Sequence, residues 1–161
     1  MMGTGKSFWG SVLAANYNCM LYDLDEVIEN EERKTISEIF KHKGEKYFRQ
    51  LEHDCLKKFE YKDDFVLATG GGTPCFHNNM QWMNENGITI WIDEPIKILV
   101  QRLIPGKAHR PLIKDLNDDD LYNFLSKKLE ERYTFYAQAK YHLKGTEISE
   151  KKFADIIKTH A

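Results

Sequence analysis

Short apolar runs alternate along the chain with longer segments in which apolar residues recur every three or four positions. The runs cover residues 19–22, 65–69, 88–92 and 141–143. Runs of this length between polar or turn-forming residues are typical of buried strands, whereas a recurrence of three or four indicates helices. Strands that alternate with helices predict an α/β domain built on a parallel sheet.

The predicted helices are placed by this spacing and by residues that start or end helices. They cover residues 8–15, the turns after Asp25, a segment that begins at Thr35, and residues 45–59, 78–86, 95–103, 121–139 and 149–159. Asp25 is predicted as an N-cap, and Thr35 has the spacing of a capping box with Glu38. Gly87 is a residue type that ends helices, and Pro95 is typical of a first turn.

The periodic pattern stops between residues 104 and 119. Pro105, Gly106 and Pro111 interrupt this segment, and its charged residues follow neither helical nor strand spacing. Structureless loops of about fifteen residues are uncommon inside compact domains and are often functional. We therefore expect a mobile lid at about 104–119.

Composition narrows the class of protein. The 161 residues are 42% hydrophobic and 30% charged, which fits one folded domain over residues 1–161 and not a disordered chain. A net charge of −2 gives no overall attraction to nucleic acid or to an anionic membrane. No apolar run approaches a membrane span, and no signal peptide precedes the first predicted helix. We expect a cytoplasmic monomer with neither of these partners.

The cysteines and histidines indicate no cross-link or structural metal. The three cysteines, Cys19, Cys55 and Cys75, are an odd number without close pairing, which fits a reducing compartment. The six histidines are scattered, and no group of Cys and His has the spacing of a zinc site. Neither a disulfide framework nor a zinc site is predicted.

The segment Gly3-Thr4-Gly5-Lys6-Ser7 matches the end of a phosphate-binding loop. Glycines let backbone N–H groups turn inward around phosphate oxygens. A lysine at this place reaches the β- and γ-phosphates, a serine hydroxyl can ligate Mg²⁺, and the following helix directs its N-terminus at the anion. The alternative is a glycine-rich tail with a chance Lys-Ser pair, and the motif by itself does not decide between the two.

The first glycine of the loop pattern would lie immediately before Met1, and no apolar strand leads into the loop. Such a strand would lie in the middle of a parallel sheet, where it is buried on both faces. We expect the natural protein to start upstream of Met1, with an apolar strand of about five residues and a glycine. A chain that starts at Met1 is expected to be marginally stable or unfolded.

Acidic residues and glycines follow the first two predicted strands. Asp23 and Asp25 come after the first apolar run, and Gly70-Gly71-Gly72 comes after the second. Ligands of open parallel sheets bind beyond the carboxyl ends of the strands. The carboxylates could hold Mg²⁺ through water or deprotonate a hydroxyl, and the glycines would let backbone approach a ligand. The alternatives are a helix cap with a solvated acid, and a loose loop.

Some arginines are candidates for binding an anion. Arg49 shares a helical face with Glu45 and Glu52, so an ordinary helical ion pair is its alternative role. Arg132 lies on the apolar stripe of the longest predicted helix, without an acidic residue three or four positions away. It therefore needs a distant carboxylate or a ligand. Arg110 in the predicted lid could bring positive charge onto phosphates, or could simply be solvated.

Together these segments resemble the shikimate kinase family, and the likeness runs nearly from end to end. The segments that carry it are Met2-Gly3-Thr4-Gly5-Lys6-Ser7, Asp23-Leu24-Asp25, Gly44-Glu45-x-x-Phe48-Arg49-x-x-Glu52, Thr69-Gly70-Gly71-Gly72, Arg110-Pro111-Leu112, and Glu131-Arg132 with Tyr136 and Ala139. Each motif alone is modest, but all of them in this order are specific. The resemblance implies a three-layer P-loop kinase fold with a parallel sheet in the order 2-3-1-4-5, here without its first strand.

The resemblance also implies an activity and a role for each motif. The implied reaction transfers the γ-phosphoryl group of ATP to the 3-hydroxyl of shikimate, a step toward chorismate and the aromatic amino acids, with Mg²⁺ as cofactor. The implied ATP-binding residues are Gly3, Thr4, Gly5, Lys6, Ser7, Arg102 and Arg110, and those for Mg²⁺ are Ser7 and Asp23. The implied shikimate-binding residues are Asp25, Arg49, Gly71, Gly72 and Arg132, with a substrate-binding helical region at about 25–59. The implied catalytic residues are Lys6, Asp25 as the base, and Arg110.

Two other functions remain open from the residues alone. Another small-molecule kinase on the same scaffold, such as a gluconate or nucleotide kinase, would share the phosphate loop. The combination of Asp25, Arg49 and Arg132 argues against it, because a sugar acid or a nucleotide would not need this set. A binding protein that no longer turns over is the second alternative, against which the intact Lys6 and Ser7 argue.

Overall fold

In the computed structural model, which describes residues 1–61, 63–110 and 112–160, helices and strands alternate along the chain. The strands are β1 (Met20–Asp23), β2 (Phe65–Ala68), β3 (Ile90–Asp93) and β4 (Tyr141–Lys144). The α-helices are α1 (Lys6–Tyr17), α2 (Leu24–Glu32), α3 (Ile36–Lys57), α4 (Asn79–Asn86), α5 (Ile96–Leu103), α6 (Asp118–Tyr136) and α7 (Glu150–Lys158). Short 3₁₀ turns cover Lys58–Tyr61, Thr73–Cys75, Ile104–His109 and Gly145–Glu147.

The four strands form two parallel pairs. β1 pairs with β2 so that their last residues, Asp23 and Ala68, are opposite each other, and β3 pairs with β4 with Asp93 opposite Lys144. A cavity of about 740 Å³ is lined by both β2 and β3, and no strand of the described ranges pairs with both of them. The pairs match the two ends of the expected 2-3-1-4-5 order, and the cavity lies between β2 and β3.

Three apolar clusters hold the helices against the strands. The α5–α6 cluster is built around Leu99 and Leu121, the α2–α3 cluster around Leu24 and Leu56, and the α1–α7 cluster around Phe153. These five side chains are at most 1% exposed. Full burial of such a side chain stabilises the fold by about 1.5–3 kcal/mol, so these clusters hold the helices in place against the strands.

Alternate residues along the strands face different clusters. Trp91 of β3 belongs to the α5–α6 cluster, whereas its neighbours Ile90 and Ile92 pack with the α1–α7 cluster. In β2, Val66 packs with the α1–α7 cluster and Leu67 with the α2–α3 cluster. Since successive side chains point to opposite faces of a strand, helices cover both faces. The predicted three-layer α/β fold is confirmed.

The start of α2 differs from its prediction. The N-cap is Asp23 and not Asp25, because the Asp23 Oδ1 accepts a hydrogen bond from the Asp25 N–H at 3.0 Å. The physical reason is that β1 continues to Asp23 and α2 starts with the next residue, so the last side chain of the strand caps the helix. Asp25 consequently lies inside the first turn of α2.

Two consecutive predicted helices form the single element α3, which has a kink. Thr35 caps its start through a capping box with Glu38, so this cap prediction is confirmed. Gly44 has a φ of 79° and a ψ of 172°, which interrupts the helical backbone at this one residue. The part after the kink carries Arg49 and Glu52 on its buried face.

The segment predicted as a lid is more ordered than its sequence indicates. It starts with the 3₁₀ turns of Ile104–His109, and Ile113 is fully buried in the α5–α6 cluster. α6 begins at Asp118, because the side chain of Asn117 accepts the Asp120 N–H and caps the helix ahead of its apolar stripe. The last residues of the predicted loop therefore belong to α6.

Candidate active site

The phosphate loop folds around the carbonyl group of Met1. Gly3 and Gly5 have φ values of 76° and 85°, which an L side chain rarely adopts, so the loop needs glycine at both positions. The Thr4 Oγ1 and the Lys6 Nζ both donate to the Met1 carbonyl oxygen, at 3.0 and 2.7 Å. α1 begins directly after the loop, so the positive end of its dipole faces the same place.

Lys6 lies among the charged residues of the predicted site. Burial lowers the pKa of its ammonium group, and the carboxylates of Asp23 and Asp25 oppose this shift. The like charges of Arg110 and Arg132 lower the pKa further. All four groups therefore lie within electrostatic reach of Lys6, and the fold brings together residues from four separate segments of the chain.

Ser7 and Asp23 face each other where α1 begins and β1 ends. The Ser7 Oγ donates to the Asp23 Oδ2 at 3.4 Å. Hydroxyl and carboxylate oxygens are suitable ligands for Mg²⁺, which usually keeps several waters and takes few protein ligands. This pair fits that ion, and no group of three or more His, Cys, Asp and Glu residues in the described part of the chain is arranged as a metal site.

Asp25 has the electrostatic properties of a general base. The pKa of its carboxyl group is raised from 3.8 to about 6. Burial is the largest cause, the nearby charges of Asp23 and Glu52 also raise the pKa, and the charge of Lys6 lowers it. A base with a pKa near the working pH is ionised and still has a useful affinity for protons. Asp25 could therefore accept a proton from a hydroxyl group at neutral pH.

The turn Gly70-Gly71-Gly72, called here the glycine turn, is where the polar side chains of the site meet. A Cβ on its first glycine would lie 3.2 Å from the Asp25 Oδ1 and 3.1 Å from the Glu52 Oε1. A Cβ on the second would lie 2.9 Å from the Arg132 Nη1, and one on the third 2.6 Å from the Arg49 Nη1. A side chain at Gly71 would require the end of Arg132 to shift. One at Gly72 would displace the Arg49 guanidinium group, which two carboxylates hold, so the close approach of Arg49 requires glycine there.

Arg49 is held between carboxylates and aromatic rings. Its Nε and Nη2 donate to the Glu45 Oε1 at 3.1 and 3.0 Å, and its Nη1 donates to the Glu52 Oε2 at 2.5 Å. The guanidinium carbon lies 4.6 Å from the Phe76 ring centre and 5.1 Å from that of Phe48. The ordinary ion pair considered from the sequence is present, and it occurs together with the approach of Arg49 to the glycine turn.

Arg132 reaches the same turn from α6. Its Nη1 approaches Gly71, whose carbonyl oxygen accepts a hydrogen bond from the Tyr136 hydroxyl at 2.5 Å. Burial raises the pKa of Tyr136, and the charge of Arg132 opposes this shift. Among the ion pairs of the described residues, none includes Arg132. Its charge is therefore available to an anion bound at the glycine turn.

Arg102 lines a separate cavity of about 660 Å³ beside the phosphate loop. Its Nη1 donates to the Gly3 carbonyl oxygen at 3.3 Å, and its Nη2 donates to the Glu94 Oε1 at 2.9 Å. Phe8 and Trp9 of α1 line the same cavity. An apolar cavity that adjoins a phosphate loop and contains one fixed cation suits the base of a nucleotide.

Arg110 is exposed at the end of the 3₁₀ segment of the predicted lid. Its backbone N–H donates to the Lys107 carbonyl oxygen at 2.9 Å, and its charge acts on Lys6. Pro111, the next residue of the predicted motif, lies outside the described residues. Arg110 is therefore an exposed cation within electrostatic reach of Lys6.

Comparison with known proteins decides the family. A family model described as shikimate kinase matches residues 2–161. The chain belongs to the shikimate kinase family. The shikimate kinase of Phocaeicola vulgatus is 38% identical over 151 residues, which cover 94% of this chain and 86% of that relative. The shikimate kinase of Bacteroides fragilis is 41% identical over 140 residues, which cover 87% of this chain and 78% of that relative.

Solved shikimate kinases have the same fold. The crystal structure of the enzyme from Bacteroides thetaiotaomicron superposes with a TM-score of 0.87 at 34% identity, covering 99% of this chain and 91% of that one. The shikimate kinase from Acinetobacter baumannii in complex with shikimate gives a TM-score of 0.80 at 28% identity, covering 99% of this chain and 86% of that one. The predicted family is confirmed, and the chain is accordingly a kinase.

Some residues of this shikimate kinase site have no local signal in the sequence. Thr73 and Tyr136 contact Glu52 and Gly71 respectively, although each is distant from its partner along the chain. The apolar spacing of α6 places Tyr136 in the core, and nothing in it indicates a bond to the turn. The only hint for Thr73 is its position directly after the glycine turn.

Proposed function

We propose that this kinase transfers the γ-phosphoryl group of ATP to the 3-hydroxyl of shikimate, giving shikimate 3-phosphate and ADP on the route to chorismate and the aromatic amino acids. The observation that carries the proposal is the approach of Arg49 and Arg132 to consecutive glycines, with Asp25 beside the glycine before them. This set suits a small molecule with one carboxylate and several hydroxyls. The solved complex of the Acinetobacter baumannii relative with shikimate supports the same substrate here.

The substrate carboxylate would bind to Arg49 and Arg132. A guanidinium group can donate two parallel N–H bonds to a carboxylate, which fixes the orientation of the ligand as well as its position. Arg49 keeps one orientation because Glu52 and the flanking rings hold it. A neutral sugar would leave Arg132 without an anionic partner among the described residues, so the site would disfavour it.

Asp25 would accept the proton of the 3-hydroxyl group. The hydroxyl oxygen then forms a bond to the γ-phosphorus while the bond from the γ-phosphorus to the β–γ bridging oxygen breaks, and ADP leaves. The pKa of about 6 keeps Asp25 mostly ionised at neutral pH. Phosphoryl transfer depends mainly on positioning and on neutralising charge, so a base with this pKa is sufficient.

The phosphate loop would hold the β- and γ-phosphates through the backbone N–H groups of residues 3–7 and through Lys6. Ser7 would ligate Mg²⁺ directly and Asp23 through water, in agreement with the 3.4 Å between their oxygens. Bound Mg²⁺ supplies neutralisation of the phosphate charge. Because Lys6 is partly buried, water screens the action of its charge on a phosphate less than it would at the surface.

The lid would complete the site when it closes. Arg110 would move onto the transferring phosphoryl group, and the closed lid would exclude the water that hydrolyses ATP. Arg102 would lie against the adenine in the cavity beside the loop, where Glu94 already orients its guanidinium group.

The test is an assay of ADP release with ATP and Mg²⁺, in which shikimate, gluconate or a nucleoside monophosphate is offered as acceptor. We expect release to depend on shikimate alone, with the product phosphorylated at the 3-hydroxyl by NMR. A rate with gluconate equal to that with shikimate would overturn the proposal.

The cellular setting is a further part of this proposal. We expect the enzyme to act in the cytoplasm as a monomer. No helix within the described ranges is long and apolar enough to cross a membrane. Size-exclusion chromatography with light scattering measures the oligomeric state.

A further inference from the structure

We propose that Thr73 is a positioning residue that fixes Arg49 for the acceptor carboxylate by acting through Glu52. Thr73 is fully buried in the 3₁₀ turn that directly follows the glycine turn. The proposal rests on the proposed function for the identity of the acceptor, whereas the hydrogen bonds that support it belong to the protein alone.

The orientation of Arg49 depends mainly on Glu52. The side chain of Glu45 is 59% exposed, whereas that of Glu52 is 1% exposed. An ion pair in water contributes little, because solvent screens it and the side chains lose freedom. The Glu52 carboxylate is shielded from water, so it is the restraint that can hold the guanidinium group in one place.

Glu52 needs a partner besides Arg49. Its Oε2 accepts the Arg49 Nη1–H, and its Oε1 accepts the Thr73 hydroxyl at 2.6 Å. The terminal torsion of a glutamate is broad, so a bond at one oxygen leaves the carboxylate able to rotate. A buried carboxylate oxygen without a partner is also costly. The Thr73 hydroxyl therefore fixes the plane of the carboxylate that faces Arg49.

Thr73 is itself fixed by a closed ring of hydrogen bonds. Its carbonyl oxygen accepts from the Asn79 Nδ2 at 2.9 Å, and its N–H donates to the Gly70 carbonyl oxygen at 3.2 Å. The Asn79 Oδ1 accepts from the His53 Nδ1 at 2.7 Å. His53 follows Glu52 in α3. The hydrogen bonds through Thr73 and Asn79 therefore start and end at adjacent residues of this helix.

The ring also connects the two functional ends of the acceptor site. A Cβ on Gly70 would lie 3.2 Å from the Thr73 Oγ1 and equally far from the Asp25 Oδ1. The hydrogen bond between Thr73 and Glu52 therefore lies between Arg49, which is proposed to bind the carboxylate, and Asp25, the proposed base. A change that loosens this bond should affect shikimate binding before it affects nucleotide binding, because the phosphate loop makes none of these contacts.

The experiment compares Thr73→Val with Thr73→Ser in the full chain. Valine keeps the shape of threonine and removes the hydroxyl, whereas serine keeps the hydroxyl and removes a methyl group. Thr89→Val is the matched control, since Thr89 bonds to Asn84 and to the Lys140 N–H away from the site. For each variant, calorimetry gives the Kd of shikimate and of ADP, and the coupled assay gives kcat and KM.

We expect Thr73→Val to raise the Kd and KM of shikimate by roughly ten-fold with the ADP Kd unchanged. Thr73→Ser should bind shikimate like the parent, and Thr89→Val should change neither Kd. A parent-like shikimate Kd in Thr73→Val overturns the proposal. It is also overturned if Thr73→Ser is as weak as Thr73→Val, because packing and not the hydroxyl would then be responsible.

If the parent does not bind shikimate, the proposed function fails. A second measurement then still tests the positioning role of Thr73. Side-chain NMR reports the rotation of the Arg49 guanidinium group about its Nε–Cζ bond. This rotation should become roughly ten-fold faster in Thr73→Val and remain slow in Thr73→Ser. An unchanged rate in Thr73→Val overturns the positioning role whatever the substrate is.

Discussion

The two sides of the site are built in different ways. The acceptor side consists of buried or partly buried side chains that converge on the glycine turn, namely Asp25, Arg49, Glu52, Thr73 and Arg132. The phosphate side consists of residues 3–7, with Arg102 and Arg110 as exposed cations. On the acceptor side one side chain fixes the next, whereas in the phosphate loop Thr4 and Lys6 bond to a single nearby carbonyl group.

The difference shows which task needs a rigid arrangement before the ligand arrives. Discrimination among small polar molecules requires groups that are already oriented, because an ill-fitting ligand then leaves buried polar atoms unpaired. Among the described residues, every buried side-chain nitrogen or oxygen has a partner, so the acceptor side is in that state already. A phosphate chain is recognised mainly by charge and backbone N–H groups, which can gather around it.

The largest expected effect is on the stability of the phosphate side. Met1 and strands β2 and β3 line the 740 Å³ cavity. An added segment of about five apolar residues ahead of Met1 should enter it, with each large side chain contributing about 1.5–3 kcal/mol. Calorimetry should show a rise in Tm of about 10–20 °C.

The matched control for this change is an extension of the same length made of Gly and Ser, which cannot bury apolar surface. It should leave the Tm unchanged. Equal melting of the two extended chains would mean that the cavity does not take up a strand. Hydrogen exchange should show that the apolar extension protects the backbone amides of residues 3–7 more than those of the glycine turn. The gain in stability would then be located on the phosphate side.

Asp25→Asn should separate activity from stability on the acceptor side. Loss of the proposed base is expected to lower kcat by about 10²–10⁴-fold. The pKa of Asp25 is raised from 3.8 to about 6, so the folded state holds this proton more tightly than the unfolded state. Ionised Asp25 therefore costs stability above pH 6, and asparagine should raise the free energy of unfolding at pH 7 by up to about 3 kcal/mol.

The pH dependence checks the sign of this effect. The gain from Asp25→Asn in urea unfolding should shrink as the pH falls from 6 toward 3.8 and should vanish below 3.8, where Asp25 is protonated in both states. In the parent, kcat/KM should rise with pH and reach half of its maximum near pH 6. A stability gain that is the same at all these pH values would show that Asp25 does not titrate as described.

Arg132→Ala should weaken shikimate binding without affecting the phosphate side. It removes a charge-assisted contact of about 1.5–3 kcal/mol, which corresponds to about 10–150-fold in Kd by calorimetry. The Kd of ADP should stay the same. Lys128→Ala on the same helix, which removes an ion pair with Glu131, is the control and should bind both ligands normally. Normal shikimate binding by Arg132→Ala would make this arginine structural.

Arg110→Ala should have the smallest effect and should act on turnover. Arg110 is exposed in the lid, so its contact to the phosphoryl group would form only on closure. We expect kcat to fall roughly ten-fold while the shikimate Kd is unchanged. Lys114→Ala is the control, because Lys114 lies in the same segment and pairs with the exposed Asp115 at 3.9 Å. Equal losses in both variants would indicate general disturbance of the lid.

The sequence was sufficient for the elements and the fold class, since both depend on local spacing. The strands begin and end within two residues of their apolar runs. The predicted start of α2 was wrong, because the identity of the cap depends on where β1 ends. A run of apolar residues does not show whether Asp23 still pairs with Ala68. Pairing between distant strands has no local signal either.

The candidate site likewise contains residues that local spacing predicts and contacts that it does not predict. The glycines of the loop, Lys6 and the arginine on the stripe of α6 are recognised from spacing along one segment. The bonds from Thr73 to Glu52 and from Tyr136 to Gly71 join positions 21 and 65 residues apart. Only the packed structure brings these partners together. The contacts were therefore not predictable from local spacing, although Glu52 and Tyr136 belong to segments that carry the family resemblance.

The most direct test of the account is a calorimetric comparison of shikimate with its uncharged carboxamide. The two ligands have nearly the same shape and hydroxyl groups, and they differ in the charge that Arg49 and Arg132 are proposed to bind. With two charge-assisted contacts of about 1.5–3 kcal/mol each, the carboxamide should bind at least about a hundred-fold more weakly. Equal Kd values for the two ligands would contradict the central claim that Arg49 and Arg132 converge on the glycine turn to bind a carboxylate.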